Sequence, residues 1–475
     1  MKTYFLLLVI CPAYFFAQLS TVIKSWESDK DLKSAAIGFC VVDVKKASVI
    51  AEHNSHQFLI PASTLKTITT GAALGILGID YRFETKLYYT GTFDKNSGIL
   101  NGDLVICGSG DPTLQSENFV KDSSQITDKW ASILKEKGLK EIKGKLIGDA
   151  SYFDRTIPGN WIWADINNYF GVAPSALSYY DNKFKIIYKT KQAGSKAIIE
   201  KTFPTYLNNT ITINSNVISK GTEDEAFVTG DPFGYNKDVN GKIPPNKTNF
   251  EVEVALPDPA LLCAENLFIS LKKIGIKCNQ QLIESNYKQL DSTITKTTLY
   301  SHYSPSLESI VYFTNLKSNN LYCETMLRAV GKGSMSLGIE VVKNYWQKQG
   351  LDVSELFMVD GSGLSRANTV STNFEAQLLS KIYEDSLGSI YKCFNASLPI
   401  AGKSGSMIHT GKGTFLENNM RAKTGYINRV RGYCGYLKTK SGKTLSFSIL
   451  INNYNCSAKD AKAKLEKFLI ALADL

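Results

Sequence analysis

The sequence predicts an α/β fold of the α+β type, in which an antiparallel sheet flanked by helices is interrupted by a large β-rich insertion. Strand-like apolar runs lie near both ends of the chain, over residues 36–43, 48–52, 432–438 and 444–452. Short alternating runs separated by turns fill residues 85–260, and helical periodicity returns afterwards. A chain of 475 residues is also too long for one ordinary domain. We therefore expect one domain built from 18–84 plus 261–475, with 85–260 inserted into it.

The N-terminus has the pattern of a secretory signal peptide. A short basic start, Met1-Lys2-Thr3, precedes an apolar stretch that runs to Ala17. This stretch is too short to span a bilayer as a permanent anchor. We expect residues 1–17 to be removed and the mature protein to be exported to the periplasm.

The remaining elements follow from periodicity and from their flanking residues. A short helix over residues 21–33 precedes the first strand pair, and Pro61 suits the start of the next helix because its ring presets φ. Ser457 and Asp460 resemble a capping box before the final helix. Further helices are predicted over residues 124–137, 259–274, 305–316, 319–331, 336–350 and 371–384.

Composition excludes several classes of function. The net charge is +10, but the basic residues are scattered, without the Lys/Arg block expected of a nucleic-acid-binding protein. A loose peripheral contact with an anionic membrane stays open. The four histidines and the widely spaced cysteines show no metal-ligand spacing, so no metal and no cofactor is expected.

Ser63 and Lys66 form the candidate nucleophile and base. They stand three residues apart at the start of an apolar helix, so both lie on one face. The helix N-terminus favours negative charge at a serine oxygen, and burial can depress a lysine pKa enough for it to act as a base. The same S-x-x-K spacing recurs at other places, for example Ser132 and Lys135, so the pattern alone is weak.

Two downstream motifs strengthen this hypothesis. Ser318-Asn319-Asn320 lies between two predicted helices and offers a hydroxyl and an amide. Lys423-Thr424-Gly425 is placed just before the last strand pair, where an ammonium and a hydroxyl can bind a carboxylate and a glycine permits close approach of a peptide.

The order S-x-x-K, S-x-N, K-T-G is the signature of the penicillin-recognising serine acyltransferases. Together with the long insertion and the stretches 108–114, 148–149, 318–322 and 360–366, the chain resembles the class C low-molecular-mass penicillin-binding proteins. These are D-alanyl-D-alanine carboxypeptidases and endopeptidases. The resemblance implies a penicillin-binding/β-lactamase-like transpeptidase domain, with peptidoglycan stem peptides as substrates and β-lactams as covalent inhibitors.

The resemblance also implies roles for individual residues. Ser63 would attack the D-Ala-D-Ala or D-Ala-diaminopimelate peptide bond, and Lys66 would take its proton. Ser318, with Lys423, would pass a proton to the leaving amine, and Asn320 would orient the acyl-side amide.

The rest of the site would bind the substrate and its developing charge. Lys423 and Thr424 would hold the terminal carboxylate, next to Gly425. The backbone N–H groups of Ser63 and Tyr426 would form an oxyanion hole, in which one donor is typically worth about 3 kcal/mol.

A further subsite is expected around Asp165, Phe170 and Arg366. The stretch 165–170 resembles the family's segment that reaches over the cleft. Opposite charges on Asp165 and Arg366 would recognise the amine and carboxylate of a diaminopimelate end, and Phe170 would pack on its stem. A surface position for Asp165 and a structural ion pair for Arg366 are equally open readings.

Two alternatives remain beside a DD-peptidase. A β-lactamase or an esterase uses the same scaffold, although no clear Glu-bearing deacylation loop is present and the insertion is large. The other alternative is a catalytically silent peptidoglycan-binding protein. The three intact motifs argue against it.

Overall fold

A computed structural model describes residues 21–475, apart from 121–123, 206, 208–209, 290–292 and 386. The predicted signal peptide, residues 1–17, lies outside this range. No helix among the described residues is both long and apolar enough to cross a bilayer. The cysteines from Cys40 to Cys456 are free thiols, and Cys40, Cys323 and Cys434 are buried, as their apolar surroundings predict.

The described helices are numbered in chain order. They are α1 (its described part, residues 21–28), α2 Lys66–Leu77, α3 Ile126–Glu136, α4 Pro259–Lys273, α5 Leu307–Lys317, α6 Asn320–Val330, α7 Met335–Lys348, α8 Thr372–Glu384, α9 Ser389–Ser397 and α10 Ala458–Ala473.

The strands are numbered in the same way. They are β1 Ala36–Asp43, β2 Ser48–His53, β3 Glu84–Tyr89, β4 Thr92–Asp94, β5 Ile99–Asn101, β6 Leu104–Cys107, β7 Glu141–Ile142, β8 Leu146–Asp149, β9 Lys183–Lys189, β10 Ile198–Phe203, β11 Thr212–Ser219, β12 Phe227–Thr229, β13 Asn236–Ile243, β14 Phe250–Ala255, β15 Ile283–Asn286, β16 Thr297–Tyr303, β17 Leu356–Phe357, β18 Thr369–Val370, β19 Met420–Ile427, β20 Val430–Lys438 and β21 Thr444–Asn452.

A five-stranded antiparallel sheet joins the two ends of the chain in the order β19-β20-β21-β1-β2. Both faces of β1 are buried, which explains its nearly continuous apolar sequence. Phe39 and Val41 share a core with Leu465 and Phe468 of α10. On the opposite face Cys40 packs in a smaller cluster. Strand β19 lies at the edge, so alternate backbone N–H groups of this strand point away from its partner.

Helix α2 lies at the centre of the helical layer. Every residue from Lys66 to Leu74 is buried, because the helix contacts α5, α6, α7, α8 and α9. Its apolar residues join one core with Trp346, Met326 and Phe374 of the surrounding helices. The catalytic helix is therefore fixed on nearly all sides, which holds its first turn rigidly against the sheet.

The insertion contains four further sheets around its own core, one of five strands and three of three strands. Their strand orders are β15-β8-β6-β3-β16, β10-β9-β14, β11-β13-β12 and β4-β5-β7.

The strand pairing bears on the boundary expected at residue 260. Strand β15 pairs with β8, and β16 pairs with β3 over Glu84–Tyr89. Leu262 and Leu267 of α4 belong to the core of the insertion. We therefore propose that the inserted unit extends to about residue 303, because α4, β15 and β16 bury their apolar side chains within it.

Candidate active site

Ser63 lies in a tight turn that leads into α2. Residues Ala62–Leu65 form a 3₁₀ turn that continues directly as α2 at Lys66. Ala62 has a φ of 49°, a left-handed conformation that costs energy in a residue with a side chain. Gly363 lies so close that a Cβ there would be 1.8 Å from the Ala62 carbonyl oxygen. The turn is thus held by its neighbours, and the Ser63 side chain is half-buried at the cleft.

Lys66 contacts Ser63 directly. The Lys66 Nζ atom lies 2.9 Å from Ser63 Oγ, 2.6 Å from Asn320 Oδ1 and 2.7 Å from the Ser362 carbonyl oxygen. Two of these partners can only accept a hydrogen bond, whereas the hydroxyl can also donate one. A neutral amine has two N–H donors and one lone pair, so this set of partners matches its needs, with the lone pair directed at the serine hydroxyl.

Burial lowers the pKa of Lys66 to about 8, because the fully enclosed ammonium loses its hydration; Cys323, Asp360 and Glu324 partly offset this effect. At neutral pH a substantial fraction of this lysine is therefore neutral. The site can consequently remove a proton from a serine without a histidine.

Ser318 follows α5 and Asn320 is the first residue of α6, so the motif lies at the predicted junction of two helices. Ser318 ends α5 in the left-handed conformation, with φ 59°, and the Asn319 side chain caps α6 by accepting from the Tyr322 N–H. The Asn320 Nδ2 atom donates to the Phe170 carbonyl oxygen at 2.7 Å. This contact fixes the orientation of the amide, so its oxygen must face Lys66.

Lys423 brings the third motif to the same place. Its Nζ atom donates to Ser318 Oγ and to the Thr424 carbonyl oxygen, each at 2.9 Å. Burial and repulsion from the Lys66 ammonium hold the pKa of Lys423 well below its usual range. A positive charge on Lys66 therefore disfavours a second positive charge on Lys423.

The K-T-G motif comes just before the predicted strand pair, which corresponds to β20 and β21. Lys423-Thr424-Gly425 itself lies inside a further strand, β19, which was not predicted. A Cβ on Gly425 would be 2.4 Å from the Pro61 carbonyl oxygen, so the glycine lets β19 pack against the nucleophile turn. Thr424 Oγ1 donates to Ser406 Oγ at 2.7 Å, and Tyr426 is exposed at the cleft.

Several supporting residues carry no motif that could reveal them. Buried Glu324 accepts the N–H groups of Gly361 and Ser362 at 2.9 and 2.8 Å, and so aims the Ser362 carbonyl at Lys66. Burial and the adjacent Asp360 carboxylate raise the pKa of Glu324. Asp360 accepts hydrogen bonds from Gly363 N and Ser365 N, and so shapes the loop 360–366.

Hydrogen bonds hold the segment 161–170 in place over the cleft. Trp161 Nε1 donates to Asp360 Oδ2 at 2.8 Å. The fully buried Lys237 of β13 donates to Asn167 Oδ1 at 2.6 Å. Burial lowers the pKa of Lys237 to about 8. The insertion therefore positions the backbone that contacts Asn320 through Phe170.

The three residues expected to form a subsite lie on two neighbouring loops. Burial raises the pKa of half-buried Asp165, and the positive charge of Arg366 partly offsets this effect. Arg366 is exposed and its Nη1 atom donates to the Asn428 carbonyl oxygen at 3.1 Å. Phe170 lines a cavity together with Ser318 and Asn320. Phe170 thus lies beside Ser318 and Asn320, and the charges of Asp165 and Arg366 lie near each other.

Comparisons with known proteins cover nearly the whole chain. The sequence profile of the "D-Ala-D-Ala carboxypeptidase 3 (S13) family" matches residues 19–472. The chain is 27% identical to D-alanyl-D-alanine carboxypeptidase DacB of Haemophilus influenzae, over 90% of this chain and 88% of that protein. It is 26% identical to a D-alanyl-D-alanine carboxypeptidase of Actinomadura sp., over 90% and 79% respectively. The crystal structure of penicillin binding protein 4 (dacB) from Haemophilus influenzae superposes with a TM-score of 0.78 at 25% identity, covering 96% of this chain and 98% of that one, which confirms the predicted fold class.

Proposed function

This chain belongs to the D-Ala-D-Ala carboxypeptidase 3 (S13) family and is a serine-type peptidase, and we propose that it cuts peptidoglycan stem peptides through an acyl-enzyme on Ser63. The reaction is hydrolysis of a D-alanyl-D-alanine bond, or of a D-alanyl-diaminopimelate cross-link. β-Lactams acylate the same serine. The observation that carries this assignment is the contact of 2.9 Å between the buried Lys66 amine and the Ser63 hydroxyl.

Acylation begins with proton transfer from Ser63 Oγ to neutral Lys66 Nζ. The oxygen attacks the carbonyl carbon of the penultimate D-alanine, and the C=O electrons move onto the carbonyl oxygen. Backbone N–H groups of Ser63 and Tyr426 stabilise that oxyanion; Tyr426 belongs to the edge strand β19, where alternate N–H groups face away from the sheet.

Collapse of the tetrahedral intermediate breaks the C–N bond. Ser318 gives a proton to the departing amine and regains one from Lys423, whose Nζ atom lies 2.9 Å away. Asn320 holds the acyl-side amide, while Lys423 and Thr424 hold the terminal carboxylate beside Gly425. Before deacylation Lys66 releases its proton to solvent and Lys423 takes one up, which restores both groups. Water then attacks the ester carbon, neutral Lys66 accepts the water proton, and Lys66 returns that proton to Ser63 Oγ as the ester C–O bond breaks.

The side-chain subsite completes the proposal. Asp165 and Arg366 bind the amine and carboxylate of a diaminopimelate end, and Phe170 packs on the stem between them. Support comes from the proximity of the two opposite charges, since the Arg366 guanidinium acts on the Asp165 carboxyl. We also propose that residues 1–17 direct export to the periplasm.

Covalent labelling with a fluorescent penicillin tests the nucleophile. Wild-type protein should be labelled and Ser63→Ala should not, because only the Ser63 hydroxyl lies beside the buried amine. Ser132→Ala is the matched control: Ser132 and Lys135 have the same spacing but lie on the exposed side of α3, where Ser132 Oγ donates to the Asp128 carbonyl. Release of D-alanine from a D-Ala-D-Ala peptide is measured in parallel. Wild type that is folded yet neither labelled nor active would favour the silent binding protein instead.

A further inference from the structure

A groove leaves the catalytic cleft and runs over the inserted domain. A cavity of about 240 Å³ is lined by Ser318, Asn320 and Phe170 on one side and by Glu117 and Lys183 on the other. A second cavity of about 550 Å³ shares Glu117 with the first. The two cavities form one path from the catalytic Ser318 outward; we call it the distal groove, defined by Glu117, Lys183, Lys185, Ile187, Lys201 and Phe203.

Strand register explains why these residues share one surface. Lys183, Lys185 and Ile187 alternate along β9, so they point to the same face of its sheet. Phe203 of β10 lies opposite Lys185, and Lys201 lies opposite Ile187. The other face carries buried Phe184, Ile186 and Tyr188 in the insertion's core. The floor spans about 13 Å from residue 183 to residue 187, at about 3.3 Å per residue.

Ion pairs make the middle of the groove rigid. Lys183 Nζ lies 2.6 Å from Glu253 Oε1 and 3.7 Å from Glu117 Oε2. Lys185 Nζ lies 2.5 Å from Glu117 Oε1 and 2.8 Å from Glu251 Oε2. Two lysines face three glutamates here, so the middle of the groove carries one excess negative charge.

The two ends of the groove differ from its middle. Lys317 lies at the catalytic end and Lys201 at the far end; both are exposed, and neither has a carboxylate within 4.0 Å in the described part of the chain. Beside Lys201, the Phe203 ring is 45% exposed, and buried Ile187 lines the same cavity. The groove therefore suits an extended chain with a carboxylate at each end and an apolar stem beside Phe203.

We propose that the distal groove binds the peptide strand that departs when a cross-link is cut. This inference rests on the proposed function, in which Ser318 protonates the leaving amine. A single departing D-alanine occupies only the catalytic end, whereas a departing stem peptide continues beyond Ser318 and meets this path. The groove is thus a specificity element for the cross-linked substrate and contributes nothing to acyl transfer itself.

The test compares two substrates in three proteins. The substrates are a monomeric stem peptide ending in D-Ala-D-Ala and a cross-linked dimer of stem peptides. The double variant Lys201→Glu/Phe203→Ser changes the far end of the groove. The control Lys189→Glu/Ile198→Ser makes the same kinds of change on the same two strands. Lys189 and Ile198 are exposed, lie opposite each other and line neither cavity. Penicillin labelling reports whether each protein is folded and acylable.

The groove variant should lose about tenfold in kcat/KM on the dimer, mainly through KM, while its hydrolysis of the monomer and its labelling stay within about twofold of wild type. The control should match wild type on both substrates. An unchanged rate on the dimer, or an equal loss in the control, would overturn the groove assignment. Wild type that cuts the monomer but not the dimer overturns it as well, yet leaves the carboxypeptidase assignment standing. Wild type that is unlabelled and cuts neither peptide removes the proposed function and this inference together.

Discussion

The rate at which Ser63 is acylated should rise with pH and level off above an apparent pKa near 8. Only neutral Lys66 can accept the serine proton, and burial lowers the pKa of Lys66 from 10.5 to about 8. At pH 7 roughly a tenth of such a lysine is neutral, compared with roughly one molecule in three thousand at an unshifted pKa. Burial thus gives about a 300-fold larger reactive fraction at neutral pH.

The perturbation that identifies the titrating group is Glu324→Gln. Glutamine keeps an oxygen to accept the Gly361 and Ser362 N–H groups but removes a negative charge that raises the pKa of Lys66. The apparent pKa should therefore fall, by about half a unit to one unit, and acylation at pH 7 should become faster. The direction of these two changes is informative, because general damage to the site would slow acylation at every pH.

The assay is rapid-mixing labelling by a fluorescent penicillin between pH 6 and pH 10. Lys66→Arg provides the control, since a guanidinium stays protonated throughout this range and should give a very slow, flat profile. A shift of the midpoint in Glu324→Gln assigns the titration to Lys66, because Glu324 is one of the groups that raise the pKa of Lys66. A wild-type rate that is flat from pH 6.5 to 9, or an identical midpoint in the two proteins, would refute the reasoning.

Three other substitutions probe the surroundings of the nucleophile. Asp165→Ala should weaken cleavage of diaminopimelate-ended peptides more than cleavage of plain ester substrates, and equal losses in a steady-state comparison would count against the subsite. Gly425→Ala puts a Cβ 2.4 Å from the Pro61 carbonyl oxygen. We therefore expect slower penicillin labelling and a free energy of unfolding that is lower by about 1–3 kcal/mol. An unaltered thermal melting curve would contradict this. Lys237→Met leaves the buried Asn167 amide oxygen without its donor, and should lower stability by about 2 kcal/mol and raise KM for peptides, with little change in penicillin labelling. A KM equal to that of wild type would show that Lys237 does not position the segment.

Most of the catalytic centre could be predicted because its chemistry lies in side chains at short, fixed spacings. Ser63 and Lys66 are one helical turn apart, and a downstream serine, amide and lysine complete a recognisable order. The structure brings Lys66 to Ser63 and Asn320, and Lys423 to Ser318. Their catalytic roles remain predictions for the labelling and kinetic experiments.

What the sequence could not predict depends on backbone atoms and distant contacts. The Ser362 carbonyl contacts Lys66 through its main chain, so the resemblance of the stretch 360–366 to the family does not by itself reveal this contact. Strand β13, with many polar residues, lacks the alternation of a half-buried strand, yet it carries the buried Lys237. The return of β16 to pair with β3 joins residues more than two hundred positions apart, which local periodicity cannot reveal.

The pairing of β1 with β21 has a consequence for how the protein matures. Ala36 lies opposite Asn452, so this sheet stays incomplete until β21 has been synthesised. Ser63 emerges early in translation, whereas β19, which carries Lys423, and β21 emerge more than 350 residues later. Contacts between residues so distant along the chain form slowly, and the insertion can fold before the two segments that flank it pair with each other. The site therefore stays incomplete until β21 has been made, and a truncation that removes β21 should leave a chain that keeps the nucleophile but cannot assemble its sheet.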